Sequence, residues 1–118
     1  MQFEELDASM KEIIMECQAD FLSDGTARFT AMEQMILDWK SGNYEQLKLV
    51  HDVHLHIHSM KGVARTIYFD HLHEMTELTV TWIRQKQDHE WTSELVEQLI
   101  QSVHEMKSSF DQCKVFSN

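Results

Sequence analysis

The chain has 118 residues and a mass of 14.0 kDa, enough for one hydrophobic core but too little for a second fold or a large cofactor module. Twenty Asp and Glu against ten Lys and Arg give a formal charge of -10, a surface that repels nucleic-acid phosphates and anionic lipid, so neither is an expected partner. An apolar fraction of 42% excludes a disordered chain, and zero Pro with three Gly argues against a turn-rich sandwich or barrel and for a few long helices.

In chain order, Ser9-Met10-Lys11-Glu12 reads as a capping box that opens the first helix. Met10, Ile14, Cys17 and Phe21, then Phe29, Met32, Ile36 and Trp39, recur at steps of three and four, which places them on one helical stripe that also holds Gly25. Ser23-Asp24-Gly25-Thr26 combines a cap-type residue with a weak helix former and predicts a kink or short break, giving a short first helix and a longer second one. Lys40-Ser41-Gly42-Asn43 ends that segment, with Asn43 and Gln46 available to cap the next.

A third helix is predicted from Tyr44 to Ile67, with the stripe Val50, Val53, Ile57, Met60, Ala64 and Ile67. Asp70 can cap a fourth, carrying Leu72, Met75, Thr79 and Trp82, which ends in Gln85-Lys86-Gln87-Asp88. A fifth starts at Asp88 or Thr92, with Leu95 or Val96, Leu99, Val103, Met106 and Phe110 as its stripe. Amphipathic helices joined by short connections bury their stripes together as an antiparallel bundle. The expected fold is therefore all-α, one domain over residues 1–118: an up-down four-helix bundle with an additional short N-terminal helix.

Cys17 and Cys113 lie far apart and make neither a disulfide framework nor a metal knuckle, so reduced thiols are expected. No apolar run approaches the roughly 18 residues of a membrane span. The N-terminus, Met1-Gln2-Phe3-Glu4-Glu5, is acidic where a signal peptide is basic, and a cytoplasmic location follows as the expectation.

Eight histidines are many for this length, and four fall at His51, His54, His56 and His58. On a helix His58 lies roughly 120° from the centre of the apolar stripe, so its imidazole is expected in solvent. His54, Lys61, Gly62 and Arg65 stand four, three, four and seven positions from it and form one basic ridge on an acidic protein. A neutral imidazole offers an unprotonated nitrogen that can attack a phosphoryl group, and an ammonium one turn away favours the phosphoramidate that forms. Gly62 costs about 1 kcal/mol relative to Ala inside a helix. Close approach of a phosphate or of a partner's loop is a reason for it. Leu47 and Leu55 fall near the same ridge, as a docking surface requires.

His58-Ser59-Met60-Lys61-Gly62 resembles the H-x-x-K-G core of histidine-containing phosphotransfer (HPt) domains, and Val63-Ala64-Arg65-Thr66-Ile67 followed by Leu72 continues their pattern. The resemblance extends over essentially the whole chain. It implies a helical bundle with His58 as the phosphorylation site, Lys61 as its positive neighbour and Gly62 as the small residue that opens access; His54, Leu55 and Arg65, on the same ridge, are the expected docking residues. Many members carry a second Gly where this chain has Tyr68, which implies a differently shaped turn and a bulky ring near the docking surface. Some kinase-attached members hold the ring's other nitrogen with a carboxylate twenty-two positions on; here that position is Val80, and Glu77, on a similar face, is the substitute expected to accept from Nδ1–H.

The resulting expectation is a phosphorelay carrier without turnover activity or a cofactor, a monomer whose partners are the receiver domain of a response regulator and a hybrid or separate histidine kinase. Two other readings compete with it. One is a bundle that keeps the docking face and loses the chemistry; the other is a metal binder, because His54 and His58 are spaced i, i+4. For His51, His54 and His56 taken singly, solvated helix positions are the default, and the Met and Trp residues are most simply packing.

Overall fold

A computed structural model describes residues 1–117 of the chain. Four α-helices account for most of them: α1 (Ala8–Lys40), α2 (Gln46–Ala64), α3 (Asp70–Arg84) and α4 (Ser93–Gln112). Each packs on its neighbour in sequence, and α4 closes back on α1, the arrangement expected of an up-down bundle with short connections. The additional N-terminal helix is only a single 3-10 turn at Phe3–Glu5, and a second such turn, Asp88–Glu90, lies between α3 and α4.

The break expected at Ser23–Thr26 does not occur. Helix α1 runs unbroken for 33 residues, which at 1.5 Å per residue makes about 50 Å, the length of the molecule's long axis, 50 Å. The cause is tertiary. Gly25 is buried in the stripe Ile14, Gln18, Phe21, Gly25, Phe29, Met32 and Ile36, and a Cβ there would lie 2.3 Å from Phe110 Cε1. The missing side chain is the space into which α4 packs its ring, so this glycine supports the helix pairing that holds α1 straight.

Several helix ends differ by a few residues from those expected. Asp7, rather than Ser9, caps α1, its Oδ1 accepting the Met10 N–H at 2.8 Å. Glu45, rather than Asn43, caps α2 through Leu47 N–H. Helix α2 starts two residues later than Tyr44 and ends at Ala64, three before Ile67. Asp70 is the first residue of α3, whose N-cap is Phe69 without a side-chain bond, whereas Thr92, one of the two caps expected, caps α4 by accepting from Leu95 N–H, and Asp88, the other, opens the 3-10 turn before it.

The core follows the stripes closely in α2 and α4: Val50, Val53, Ile57, Met60, Ala64 and Ile67, and Val96, Leu99, Val103, Met106 and Phe110, are all buried. In α1 the stripe drifts at its start, where Met10 and Cys17 are exposed and Gln18 is fully buried instead. Gln18 is satisfied at both ends of its amide. Its Nε2 donates to the Ile67 carbonyl at 2.8 Å and its Oε1 accepts Phe116 N–H at 2.9 Å, which ties α1 to the α2–α3 turn and to the segment after α4.

That turn contains Tyr68 at φ 70°. The left-handed region costs an L-residue about 1–2 kcal/mol and costs Gly nothing. The departure from the glycine pattern therefore lies in the side chain. The Tyr68 ring is set edge-on to Phe3 at 5.9 Å, and Phe3 meets Phe116 at 5.0 Å. The ring thus belongs to an aromatic cluster with Phe3 and Phe116 at the end of the bundle.

Candidate functional site

The candidate site lies on the outward ridge of α2 and the last turn of α3. Because Val53, Ile57, Met60 and Ala64 face the core, the residues on the opposite side of α2 are turned to solvent: Leu55, His58, Ser59, Gly62 and Arg65 are all exposed. The structure therefore brings His58, Gly62, Leu55 and Arg65 to one accessible ridge. Lys61, three residues from His58 and half-buried, has no carboxylate within ion-pair distance among the described residues. Its charge is uncommitted to the bundle. Leu55 is 64% exposed, and Val63, which the sequence did not single out, adds 43% exposure to the same apolar strip. Leu47 is not part of it, because it is half-buried against the core.

Gly62 differs from the other two glycines. A Cβ at Gly25 would collide with Phe110 and Gly42 has φ +81°, whereas a Cβ at Gly62 would meet nothing within 4 Å. Neither backbone conformation nor packing in this chain requires glycine there. The helix bears a cost of about 1 kcal/mol with no return inside the isolated molecule.

The histidines separate by their contacts. His51 Nε2 lies 3.1 Å from Asp88 Oδ1. His54 is half-buried, with Nε2 enclosed and unpaired, and burial together with the nearby Arg84, His58 and His51 pushes it toward the neutral form. It stands edge-on to His58, ring centres 6.2 Å apart, so it supports the ridge more than it presents itself for docking. The His56 Nδ1 meets Arg28 of α1 at 3.1 Å, and burial, then that guanidinium, lowers its affinity for a proton. His71 bonds Ser109 at 2.9 Å.

Glu77 makes no hydrogen bond or ion pair with His58 among the described residues. Its Oε2 lies 3.1 Å from His73 Nε2, and His73 Nδ1 in turn lies 3.3 Å from the Lys61 carbonyl, so this pair braces α3 against α2. Val80, the other position considered, is fully buried in the core. The group on the His58 ring is Arg84, whose Nη2 is 3.4 Å from Nδ1. The sequence reading missed it because it looked for a carboxylate twenty-two positions on. The signal was present: Thr76, Val80 and Ile83 form the buried stripe of α3, while Glu77 and Arg84, seven apart, share the ridge toward α2.

The geometry permits one kind of chemistry plainly. An exposed imidazole with an uncommitted ammonium one turn away and open space over the next residue can exchange a small anionic group with a visiting molecule. Among the described residues no three His, Cys, Asp or Glu side chains converge as metal ligands, and no helix is long and apolar enough to cross a membrane.

Comparison with known proteins agrees with this arrangement. The Hpt domain family matches residues 16–109, which include α2, α3, most of α4 and about three quarters of α1. Neither the curated proteins nor the solved structures contain a match. With more than three quarters of its length matched, a four-helix bundle for its fold and the H-x-x-K-G ridge in solvent, the chain belongs to the Hpt domain family, the helical-bundle phosphocarriers of two-component phosphorelays.

Proposed function

We infer that His58 is the residue that carries the phosphoryl group, between a receiver or kinase domain on one side and the aspartate of a response-regulator receiver on the other. The observation that carries this reading is the open ridge itself: His58 is exposed, and beside it Gly62 leaves a space that nothing in the chain uses. A glycine whose cost has no internal return is accounted for by a partner that closes over it.

In the transfer the Nε2 lone pair attacks phosphorus in line, the bond from phosphorus to the aspartate oxygen breaks, and the carboxylate leaves with the bonding electrons. Lys61 offsets the negative charge that gathers on the phosphoryl oxygens. Leu55 and Val63 provide the apolar rim against which a receiver docks, with Arg65 at its end and His54 backing the ring. The divalent ion that such a transfer uses is assigned to the receiver, since the ridge itself brings together no set of carboxylates. The domain acts as a cytoplasmic monomer that is consumed and regenerated in each relay step.

Incubating the protein with a receiver domain phosphorylated on its aspartate tests the reading. The expected product is an acid-labile, alkali-stable phosphate on the bundle, mapped to His58. Tight zinc binding without label supports the metal reading instead, and receiver binding without label supports an interaction module. Lys61→Ala should slow transfer about tenfold without preventing it, the size expected from one exposed charge-assisted contact. An unchanged rate makes the ammonium a bystander.

A further inference from the structure

Arg84 reaches over the His58 ring from the last turn of α3 and places Nη2 3.4 Å from Nδ1. A guanidinium has only N–H donors and no lone pair to offer. A proton on Nδ1 would therefore point at a donor that is also a cation. A ring that accepts from Arg84 uses its Nδ1 lone pair, so this contact favours the tautomer with the proton on Nε2. This is the reverse of a ring whose Nδ1–H is held by a carboxylate. The carboxylate expected in that role, Glu77, is paired with His73, and among the described residues no carboxylate lies within ion-pair distance of Arg84.

We propose that Arg84 is a positioning residue that sets how long His58 keeps its phosphoryl group; the proposal rests on the carrier role of His58. In spontaneous hydrolysis a water oxygen bonds to phosphorus, the Nε2–P bond breaks and its electron pair goes to the ring. With a proton on Nδ1 the ring departs as neutral imidazole, and phosphate leaves as its dihydrogen anion with both protons of the water. With Nδ1 bare the same step must expel an imidazolate, a far poorer leaving group. Once the partner leaves, the phosphorylated ring releases its Nδ1 proton to solvent; a guanidinium donating to the bared Nδ1 holds it in the second condition, and the isolated carrier keeps its load.

The same contact must open for transfer in either direction. Loading needs a free lone pair on Nε2, which places the proton on Nδ1 and turns Arg84 away. Arg84 is exposed at a helix end and its contact with the ring is long. The carboxylate of an incoming receiver offers it a shorter, charge-assisted bond. Docking then frees Nδ1 far more often than the brief openings of this long contact in the isolated chain, openings that suffice for a small donor to load the ring, so the phosphoryl group is slow to hydrolyse in solution and mobile on the partner.

The test loads the full chain from phosphoramidate, a small phosphoryl donor that requires no protein partner. The lifetime of phosphohistidine at neutral pH is compared between the parent protein and its Arg84→Glu, Arg84→Ala and Arg84→Lys variants. Arg84→Glu converts the donor to an acceptor. It is expected to shorten the lifetime about tenfold, with Arg84→Ala between, while Arg84→Lys retains most of the parent value. Nitrogen-15 NMR of the unphosphorylated chain is expected to show the proton of His58 on Nε2 in the parent and on Nδ1 in Arg84→Glu. Equal lifetimes in all four proteins, or a parent ring with its proton on Nδ1, overturn the proposal while leaving the carrier role intact. A His58 that takes no label in any variant overturns the carrier role and the lifetime role together.

Discussion

Replacing His58 with Gln is expected to reduce phosphoryl acceptance to background while leaving stability within about 0.5 kcal/mol of the parent, as for other exposed substitutions. The imidazole is exposed on a helix whose opposite side forms the core, and Gln is a good helix former, so neither packing nor propensity is disturbed. The chemistry depends on one ring because five of the other seven histidines are engaged, and the remaining two, His89 and His104, are exposed but lack the uncommitted Lys and the Gly of the α2 ridge. His51, His56, His71 and His73 are each held by a neighbouring side chain, and the His54 Nε2 is enclosed.

His104 is the sharpest control. It is exposed and has Lys107 three residues on, the same spacing as His58 and Lys61. Yet Lys107 is bound to Asp111 at 2.9 Å, a contact that holds its ammonium above its ordinary proton affinity, and Ser108 stands where the ridge of α2 has Gly62. His104→Gln is therefore expected to accept label at the parent rate. The pair of variants is read by phosphate incorporation, with circular dichroism and thermal unfolding as the check on folding. Label retained by His58→Gln removes the assignment.

The elements most legible in the sequence were those set by local rules. Residue spacing alone identified the buried stripes of α2 and α4, and the helical phase that buries Ile57 and Met60 is what turns His58 outward. Thr92 was one of two candidate caps for α4, and a cap, being a local interaction, is legible to within a few residues. The failures came where a distant residue decides. Gly25 reads as a helix weakness until Phe110, 85 positions away, is brought against it. Gln18 reads as solvated until the Ile67 carbonyl and the Phe116 amide come to meet it. Glu77 and Arg84 are both on the right ridge of α3, and only the packing of α3 on α2 decides that the first meets His73 and the second His58. The site's charge pattern was visible in sequence; the sign of the group on Nδ1 was not.

Gly25→Ala is expected to destabilise the bundle even though Ala is the better helix former. The substitution gains up to about 1 kcal/mol of helix propensity. Against that, the new Cβ would lie 2.3 Å and 2.6 Å from two atoms of the Phe110 ring, distances that force a shift. The ring has little freedom to yield, because it also packs on Phe29 at 5.1 Å and Phe21 at 6.2 Å and is itself buried. Overpacking costs about 1–3 kcal/mol, and contacts this short place the cost in the upper part of that range, so a net loss of about 1–2 kcal/mol remains, with a fall in Tm of about 3–5 °C per kcal/mol for a domain of this size. Gly25→Val, with a larger side chain and a poorer helix propensity, is expected to lose about 3 kcal/mol or more. Phe110→Leu removes the two colliding atoms, so in that background Gly25→Ala should cost less than in the parent, a coupling that a double-mutant cycle measures by urea unfolding. Phosphate acceptance by the folded fraction should be unchanged in Gly25→Ala, since the collision lies on the α1–α4 seam and His58 faces outward from α2. A Gly25→Ala protein as stable as the parent, or a penalty that Phe110→Leu leaves untouched, shows that the ring is not what makes this position require glycine.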